Sequence, residues 1–127
     1  MRILHLDTHA ALWLYAGEVE LFPDRVRAWL EQSPLYISPM VLLEIQYLKE
    51  LGKINVKVDT FLRDIHDDLG LEISKAGFAA VAIEAVKLSW TRDPFDRMIV
   101  AQALADDARL ITRDKTILKY CRQACWQ

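Results

Sequence analysis

The sequence predicts an α/β protein in which helices cover a mainly parallel β-sheet. Short apolar runs alternate along the chain with longer segments of helical periodicity. The runs lack the polar alternation of a half-exposed strand, which is typical of parallel strands buried on both faces. With 127 residues, of which 53% are hydrophobic, residues 1–127 are expected to form one domain with a substantial core.

Five apolar runs are expected to be strands, the last of them at an edge of the sheet. They lie at residues 3–6, 35–37, 71–73, 109–112 and 124–126. The helices expected between them cover residues 10–15, a segment that begins at 23–24, and residues 39–51, 58–69, 75–88, 93–106 and 114–120. Ser38 before Pro39 fits an N-cap followed by proline in the first helical position, and Gly70 fits a C-terminal stop.

Composition excludes several classes of protein. The net charge of −2 argues against a protein that holds nucleic acid by overall positive charge alone. No apolar run approaches the roughly 20 residues that span a bilayer, and no secretory signal is visible, so a soluble, cytoplasmic protein is expected. Cys121 and Cys125 have no histidine nearby and are expected to be reduced thiols, not a zinc site or a disulfide scaffold.

Two acidic residues follow predicted strands. Asp7 comes directly after the first strand, and Asp114 follows the fourth strand closely. Ligands of open α/β sheets bind beyond the carboxyl ends of the strands, so both side chains are candidates for a site if the first strand is central. The alternative for each is a plain helix N-cap.

Two other acids lie on apolar helix faces. Glu44 has Met40, Val41, Ile45 and Leu48 as its neighbours on the helix surface, and Asp96 continues a stripe of apolar residues. A buried carboxylate needs a partner, which is a metal ion or, alternatively, an arginine. Asp93 is different, because it fits an N-cap with an acid three residues later, as in a capping box; it is also a candidate to assist the site.

If Asp7, Glu44, Asp96 and Asp114 converge, their mutual repulsion would be severe without cations. Hard divalent ions such as Mg²⁺ or Mn²⁺ prefer oxygen ligands and would relieve that repulsion. No histidine or cysteine set has ligand spacing, so zinc is less favoured. These four carboxylates are therefore the predicted metal-binding and catalytic residues.

Four segments in this order resemble the PIN-domain nucleases, in particular the VapC-type toxins of bacterial and archaeal toxin–antitoxin pairs. They are residues 6–13 (LDTHAALW), 37–45 (ISPMVLLEI), 92–103 (RDPFDRMIVAQA) and 110–114 (LITRD). The resemblance implies a three-layer α/β/α sandwich with a mainly parallel sheet of four to five strands. It places the family's acidic quartet at Asp7, Glu44, Asp96 and Asp114. It also implies Mg²⁺ or Mn²⁺ as cofactor, RNA as substrate, a homodimer, and a cognate antitoxin.

Residues beside the quartet are candidates for supporting roles. Thr112 is expected to hydrogen-bond a carboxylate or water, or else to pack in its strand. Arg97 and Arg113 are expected to contact phosphate or to form surface ion pairs with the neighbouring acids. His9 is interpreted as a helix-surface residue next to the site, and His5 as a satisfied core residue.

Two other functions are consistent with parts of the pattern. A phosphotransfer domain with an aspartyl nucleophile is suggested by Asp7, but such domains want a second acid nearby, and His9 stands two residues on. The other alternative is a catalytically weak PIN-fold module that only binds RNA or a partner. The presence of all four acids favours a metal-dependent ribonuclease.

Overall fold

The computed structural model describes residues 2–127, which form a five-stranded, fully parallel sheet and seven α-helices. The strands are β1 (Leu4–Leu6), β2 (Leu35–Ile37), β3 (Glu72–Ile73), β4 (Arg109–Ile111) and β5 (Ala124–Cys125). The helices are α1 (Thr8–Tyr15), α2 (Asp24–Gln32), α3 (Pro39–Glu50), α4 (Val58–Leu69), α5 (Phe78–Val86), α6 (Pro94–Ala105) and α7 (Lys115–Tyr120). All the expected elements are present, including the fifth strand.

The strand order is β3-β2-β1-β4-β5, so β1 is the central strand. Leu4 pairs with Leu35 on one side and with Arg109 on the other. The chain leaves β1 toward β2 and returns to the other side of β1 as β4. This reversal is the topological switch point at which open α/β sheets bind ligands. All three residues of β1 are buried, because helices cover both faces of the sheet. The predicted three-layer α/β/α sandwich is confirmed.

The hydrophobic core is one large cluster that joins the sheet to the helices around it. Strand residues Leu6, Ile37 and Ile111 are fully buried in it, and helix residues such as Val41 and Val100 pack against them. Fully burying each such side chain stabilises the fold by about 1.5–3 kcal/mol. The sheet and the helix ends that carry the site therefore rest on a closely packed support.

Local sequence signals set the helix ends. The Ser38 hydroxyl accepts from the Met40 backbone N–H at 3.1 Å and caps α3. Gly70 ends α4 in a left-handed conformation (φ +65°), which glycine adopts without steric cost. The expected start of α5 at residue 75 is wrong. Ser74 and its neighbours form a loop that satisfies Gln102, so the helix begins only at Phe78, after Gly77.

Within residues 2–127, no helix combines the length and the apolar character that crossing a membrane requires.

Candidate active site

A cavity of about 420 Å³ lies at the carboxyl end of β1 and β4. The structure brings all four predicted carboxylates to it, together with Asp93. The lining residues are Asp7, Thr8, His9, Trp13, Glu44, Asp93, Asp96, Ile99, Arg113 and Asp114. Five carboxyl groups and one guanidinium in so small a space make the cavity strongly acidic.

Asp7 lies at the bottom of this cavity, directly after the central strand. Its Oδ1 accepts from the Ala10 backbone N–H at 2.9 Å, which caps α1. Its Oδ2 accepts from the Thr112 hydroxyl at 2.5 Å. Burial raises the pKa of Asp7, while the hydrogen bonds from Thr112 and Ala10 oppose that rise. The Asp7 side chain therefore both caps α1 and lines the cavity.

Glu44 reaches the cavity from the side of α3. The Thr8 hydroxyl donates to its Oε1 at 2.5 Å, and Glu44 forms no ion pair among the residues that the structure describes. The arginine partner considered as an alternative is therefore not observed there. Thr8 was not among the residues that the sequence indicated for the site. A hydroxyl next to Asp7 at the start of an inward-facing helix was the signal that could have indicated it.

Asp96 differs from the other acids in having no hydrogen bond to its carboxyl group from any residue between 2 and 127. Its own backbone N–H donates to Asp93, at 3.1 Å. Burial, followed by the charges of Asp93, Asp114, Glu44 and Asp7, raises the pKa of Asp96 to about 7. Like charges disfavour ionisation, and no hydrogen-bond donor among residues 2–127 offsets the four charges around the Asp96 carboxylate.

Asp93 and Asp114 both cap helices and still line the cavity. Asp93 Oδ1 accepts from the backbone N–H groups of Phe95 and Asp96 at 2.8 and 3.1 Å. The reciprocal bond of a capping box is absent, because the Asp93 N–H donates to the Thr91 hydroxyl. Asp114 Oδ1 accepts from the N–H groups that open α7, at 2.9 and 3.0 Å. Each retains a second carboxyl oxygen that forms no hydrogen bond or ion pair with a described residue.

The supporting residues divide into those at the cavity and those apart from it. Thr112 holds Asp7 and also accepts from the Asp114 N–H at 3.1 Å, so it links the two strand-end acids. Arg113 and His9 line the cavity, and the Arg113 guanidinium lies 5.7 Å from the centre of the Trp13 ring. Arg97 lies apart, because its Nε donates to the Thr91 carbonyl at 2.8 Å.

His5 is completely buried in β1, away from the cavity. Its Nε2 lies 2.7 Å from the Asp106 carboxylate, and Asp106 also accepts from the Ser74 hydroxyl at 2.6 Å. Its Nδ1 is buried without a hydrogen-bond partner. The expected satisfied core histidine is therefore wrong for one of the two ring nitrogens. Burial lowers the pKa of His5, although Asp106 opposes that effect.

The donor chemistry of the cavity fits a divalent cation of the Mg²⁺ type, because its carboxylate oxygens are the ligands that such ions prefer. Within residues 2–127, however, no three acidic, histidine or cysteine side chains are close enough together, as they stand, to hold a metal ion. The Asp96 carboxylate accepts no hydrogen bond within residues 2–127, so the negative charge of these acids is not fully compensated by the described chain. A cation would supply the missing opposite charge.

Fold and site together define an α/β protein with an acidic pocket at the switch point of a parallel sheet. The family model for the PIN domain matches residues 4–123, and the chain belongs to this family. Ribonuclease VapC22 of Mycobacterium tuberculosis is 26% identical over 119 residues, which are 92% of this chain and 91% of that protein.

Solved structures support the same fold. One is VapBC2 from Rickettsia felis, solved bound to a DNA fragment from its promoter. A chain of that structure superposes on this one with a TM-score of 0.65 and 19% sequence identity, and the match covers 98% of this chain and 97% of that chain. The VapBC-1 structure from nontypeable Haemophilus influenzae gives 0.64 at 19% identity, with coverage of 98% and 96%.

Proposed function

We propose that this chain, as a single domain, is a metal-dependent endoribonuclease and the toxin of a toxin–antitoxin pair. The observation that carries the proposal is the convergence of Asp7, Glu44, Asp96 and Asp114 on one cavity, where the Asp96 carboxylate accepts no hydrogen bond from residues 2–127. The similarity to ribonuclease VapC22 supports RNA as the substrate. RNA and an antitoxin are cytoplasmic, so we place the activity in the cytoplasm.

In this proposal the four carboxylates hold Mg²⁺ or Mn²⁺. When bound, such an ion activates water for attack on a phosphodiester and stabilises charge on the leaving oxygen. The chain's own part is to keep the ligands in place. Thr112 fixes the Asp7 carboxylate, and Thr8 fixes that of Glu44, each through a hydrogen bond of 2.5 Å.

Among residues 2–127, Arg113 is the one arginine or lysine that lines the cavity, and we assign it to the phosphate of the substrate. Its guanidinium lies over Trp13 and forms no ion pair with any described carboxylate, so its donors remain available. His9 also lines the cavity, and its charge opposes the rise in the pKa of Asp7. Asp93 acts mainly by capping α6, which sets the position of Asp96.

Cleavage of labelled RNA tests this proposal. The wild type with Mg²⁺ is expected to cut, and both EDTA and Asp96→Asn are expected to abolish cutting, while Asp67→Asn is expected to leave it unchanged. Asp67 is an exposed residue of α4, and its substitution removes the same charge away from the cavity. Equal cutting by the wild type, the EDTA sample and Asp96→Asn would exclude the assigned site.

The alternative function is a PIN-fold module that binds RNA or a partner without cutting. It predicts no cleavage of any RNA and no heat of Mg²⁺ binding by calorimetry. The nuclease proposal predicts a binding heat in the wild type that Asp96→Asn reduces. The rise in the pKa of Asp96 to about 7 also predicts proton release on Mg²⁺ binding at pH 6, which buffers of different ionisation enthalpy would detect.

A cognate antitoxin and a second copy of the chain are the proposed protein partners. The structural relatives are VapBC structures, which supports the antitoxin. The outer face of α5 supports the homodimer, because Phe78, Ile83 and Val86 are 74%, 63% and 75% exposed. A helix that is apolar on most sides is usually buried. Sedimentation is expected to show a dimer for the wild type and a monomer for Ile83→Glu, with Lys57→Glu as the control.

A further inference from the structure

Four arginines cluster at the other end of the sheet, around the start of β4 and the edge strand β5. A second cavity, of about 240 Å³, lies there and is lined by Arg2, Arg109, Arg122, Gln123, Ala124 and Cys125. Arg25 of α2 joins the cluster through the Trp29 ring. The guanidinium groups of Arg25 and Arg109 lie 4.8 and 4.4 Å from the centre of that ring. We call this cavity, the three arginines that line it and the adjacent Arg25 the arginine pocket.

Three of these four arginines form no ion pair with a carboxylate of the described chain, unlike Arg27 and Arg63. Arg27 pairs with Asp24, and Arg63 lies 3.6 Å from Asp64. In the arginine pocket only Arg2 has an ion pair within the described chain, a 3.9 Å contact with Asp107, whose side chain is 94% exposed. Arg25, Arg109 and Arg122 pair with no described acid. The whole chain carries a net charge of −2, so three guanidinium groups without acidic partners at one end of the sheet form a local concentration of positive charge.

The chemistry of the pocket selects an anion with several oxygen acceptors. Guanidinium groups form paired hydrogen bonds with phosphate, and those of Arg25 and Arg109 lie over the Trp29 ring. The three guanidinium groups that line the cavity provide more donors than one carboxylate can accept. A phosphate group, with its larger set of oxygens, matches them better.

The position of the pocket favours RNA over an acidic protein segment as the source of that phosphate. Cys125 lines the arginine pocket, and the next residue, Trp126, contacts the ring of Trp13 at 5.8 Å between centroids. Trp13 in turn lines the acidic cavity. Cys125, Trp126 and Trp13 therefore connect the arginine pocket to the acidic cavity through neighbouring, partly exposed residues. Single-stranded nucleic acid binds to such combinations of basic groups and stacking rings.

We propose that the arginine pocket binds a backbone phosphate of the RNA outside the cleavage site and guides the strand along the β5 edge to the acidic cavity. The proposal rests on the nuclease function proposed above. It assigns the four arginines to binding and leaves the chemistry to the carboxylates.

The test is binding of a fluorescein-labelled single-stranded RNA in EDTA, which keeps cleavage out of the measurement. Arg2→Gln/Arg122→Gln removes two exposed cations of the pocket, and Lys53→Gln/Arg63→Gln removes two exposed cations elsewhere. The first pair is expected to weaken binding about five- to tenfold and to lower the slope of log affinity against log salt by about 0.7 for each phosphate that is no longer neutralised. The control pair is expected to change the affinity less than twofold. Equal effects of the two pairs would overturn the proposal.

Arg109→Lys provides a second test that retains the charge. Lysine lacks the planar fork of donors, so weaker RNA binding with an unchanged urea denaturation midpoint supports phosphate recognition by the guanidinium group. Binding equal to that of the wild type would contradict it.

Competition identifies the source of the anion. Inorganic phosphate and an unlabelled RNA are both expected to displace the labelled RNA, the RNA at far lower concentration. If a poly-glutamate peptide binds the wild type and the pocket variant differently while RNA does not, the pocket serves an acidic partner and the proposal is wrong. Loss of cleavage in the Mg²⁺ assay with RNA binding retained would refute only the nuclease function, so the two failures are distinguishable.

Discussion

Asp96→Asn is predicted to stabilise the metal-free protein at pH 8 while it abolishes cleavage. The raised pKa means that the folded chain holds a proton on Asp96 that the unfolded chain has already lost. Between the ordinary pKa of 3.8 and about 7, stability therefore falls as the pH rises. The asparagine amide has the same shape but stays neutral, so it causes no such loss of stability. The stability advantage of Asp96→Asn over the wild type is expected to be absent near pH 4 and complete near pH 8.

The magnitude follows from the size of the pKa change. A rise from 3.8 to about 7 corresponds to about 4 kcal/mol at full strength, at 1.36 kcal/mol for each pH unit. The Asp96 carboxyl is only partly buried, and solvent screening reduces the effect. We expect about 1–2 kcal/mol at pH 8, which is about 4–8 °C in the melting temperature of a domain of this size.

Urea denaturation in EDTA at pH 5 and pH 8 measures this difference. Asp67→Asn is the matched control, since it removes an exposed acid on α4 and is expected to change stability by less than about 0.5 kcal/mol at either pH. With saturating Mg²⁺ the order should reverse, because the wild type gains ligand-binding energy that the variant lacks. A variant that is destabilised at pH 8 without metal, or equally affected at both pH values, would refute the electrostatic account of the cavity.

Three further predictions follow from the hydrogen bonds around the site and the core. Thr112→Val removes the donor to the buried Asp7 carboxylate and is expected to lower the free energy of unfolding by about 1–3 kcal/mol in urea denaturation and to weaken Mg²⁺ binding. Thr112→Ser keeps the hydroxyl and is expected to keep both the stability and the Mg²⁺ affinity. Equal losses in the two variants would contradict this. Asp93→Ala is expected to lose about 1 kcal/mol through the α6 cap and Asp93→Asn only a little, so a large loss in both would indicate a role beyond capping. NMR titration of His5 is expected to give a midpoint below 6.5. Below pH 6.5 the unfolded chain then binds more protons than the folded chain, so His5 makes the fold less stable as the pH falls. A midpoint above 6.5 would contradict the effect of burial.

The fold was largely predictable because the local signals agreed with one another. Ser38 with Pro39 and Asp93 with Pro94 fixed the starts of α3 and α6, and both caps are observed. The start of α5 was not predictable from local propensity, since the loop before it is stabilised by contacts with Gln102 on a distant helix. Long-range polar contacts of this kind leave no periodic pattern in the sequence.

The acids of the candidate site could be predicted from the sequence, but the hydroxyl groups that hydrogen-bond to them could be predicted less well. Glu44 and Asp96 stood out as charges on apolar helix faces, and strand-end placement indicated Asp7 and Asp114. The bond from Thr8 to Glu44 joins residues 36 apart, and that from Thr112 to Asp7 joins residues 105 apart. Such pairs are created by strand order, which places β1 between β2 and β4, and not by local sequence.

The acids of the cavity are not equivalent in what a cation would do for them. Asp7, Glu44, Asp93 and Asp114 each accept at least one hydrogen bond from the described chain. Asp96 receives no such bond and has the repulsion of all four. The other acids are held by helix caps and hydroxyls, whereas the Asp96 carboxylate is not. If the proposed cation binds, its binding should therefore be strongly coupled to the proton on Asp96, and in the metal-free cavity both Asp96 and the buried Asp7 resist ionisation.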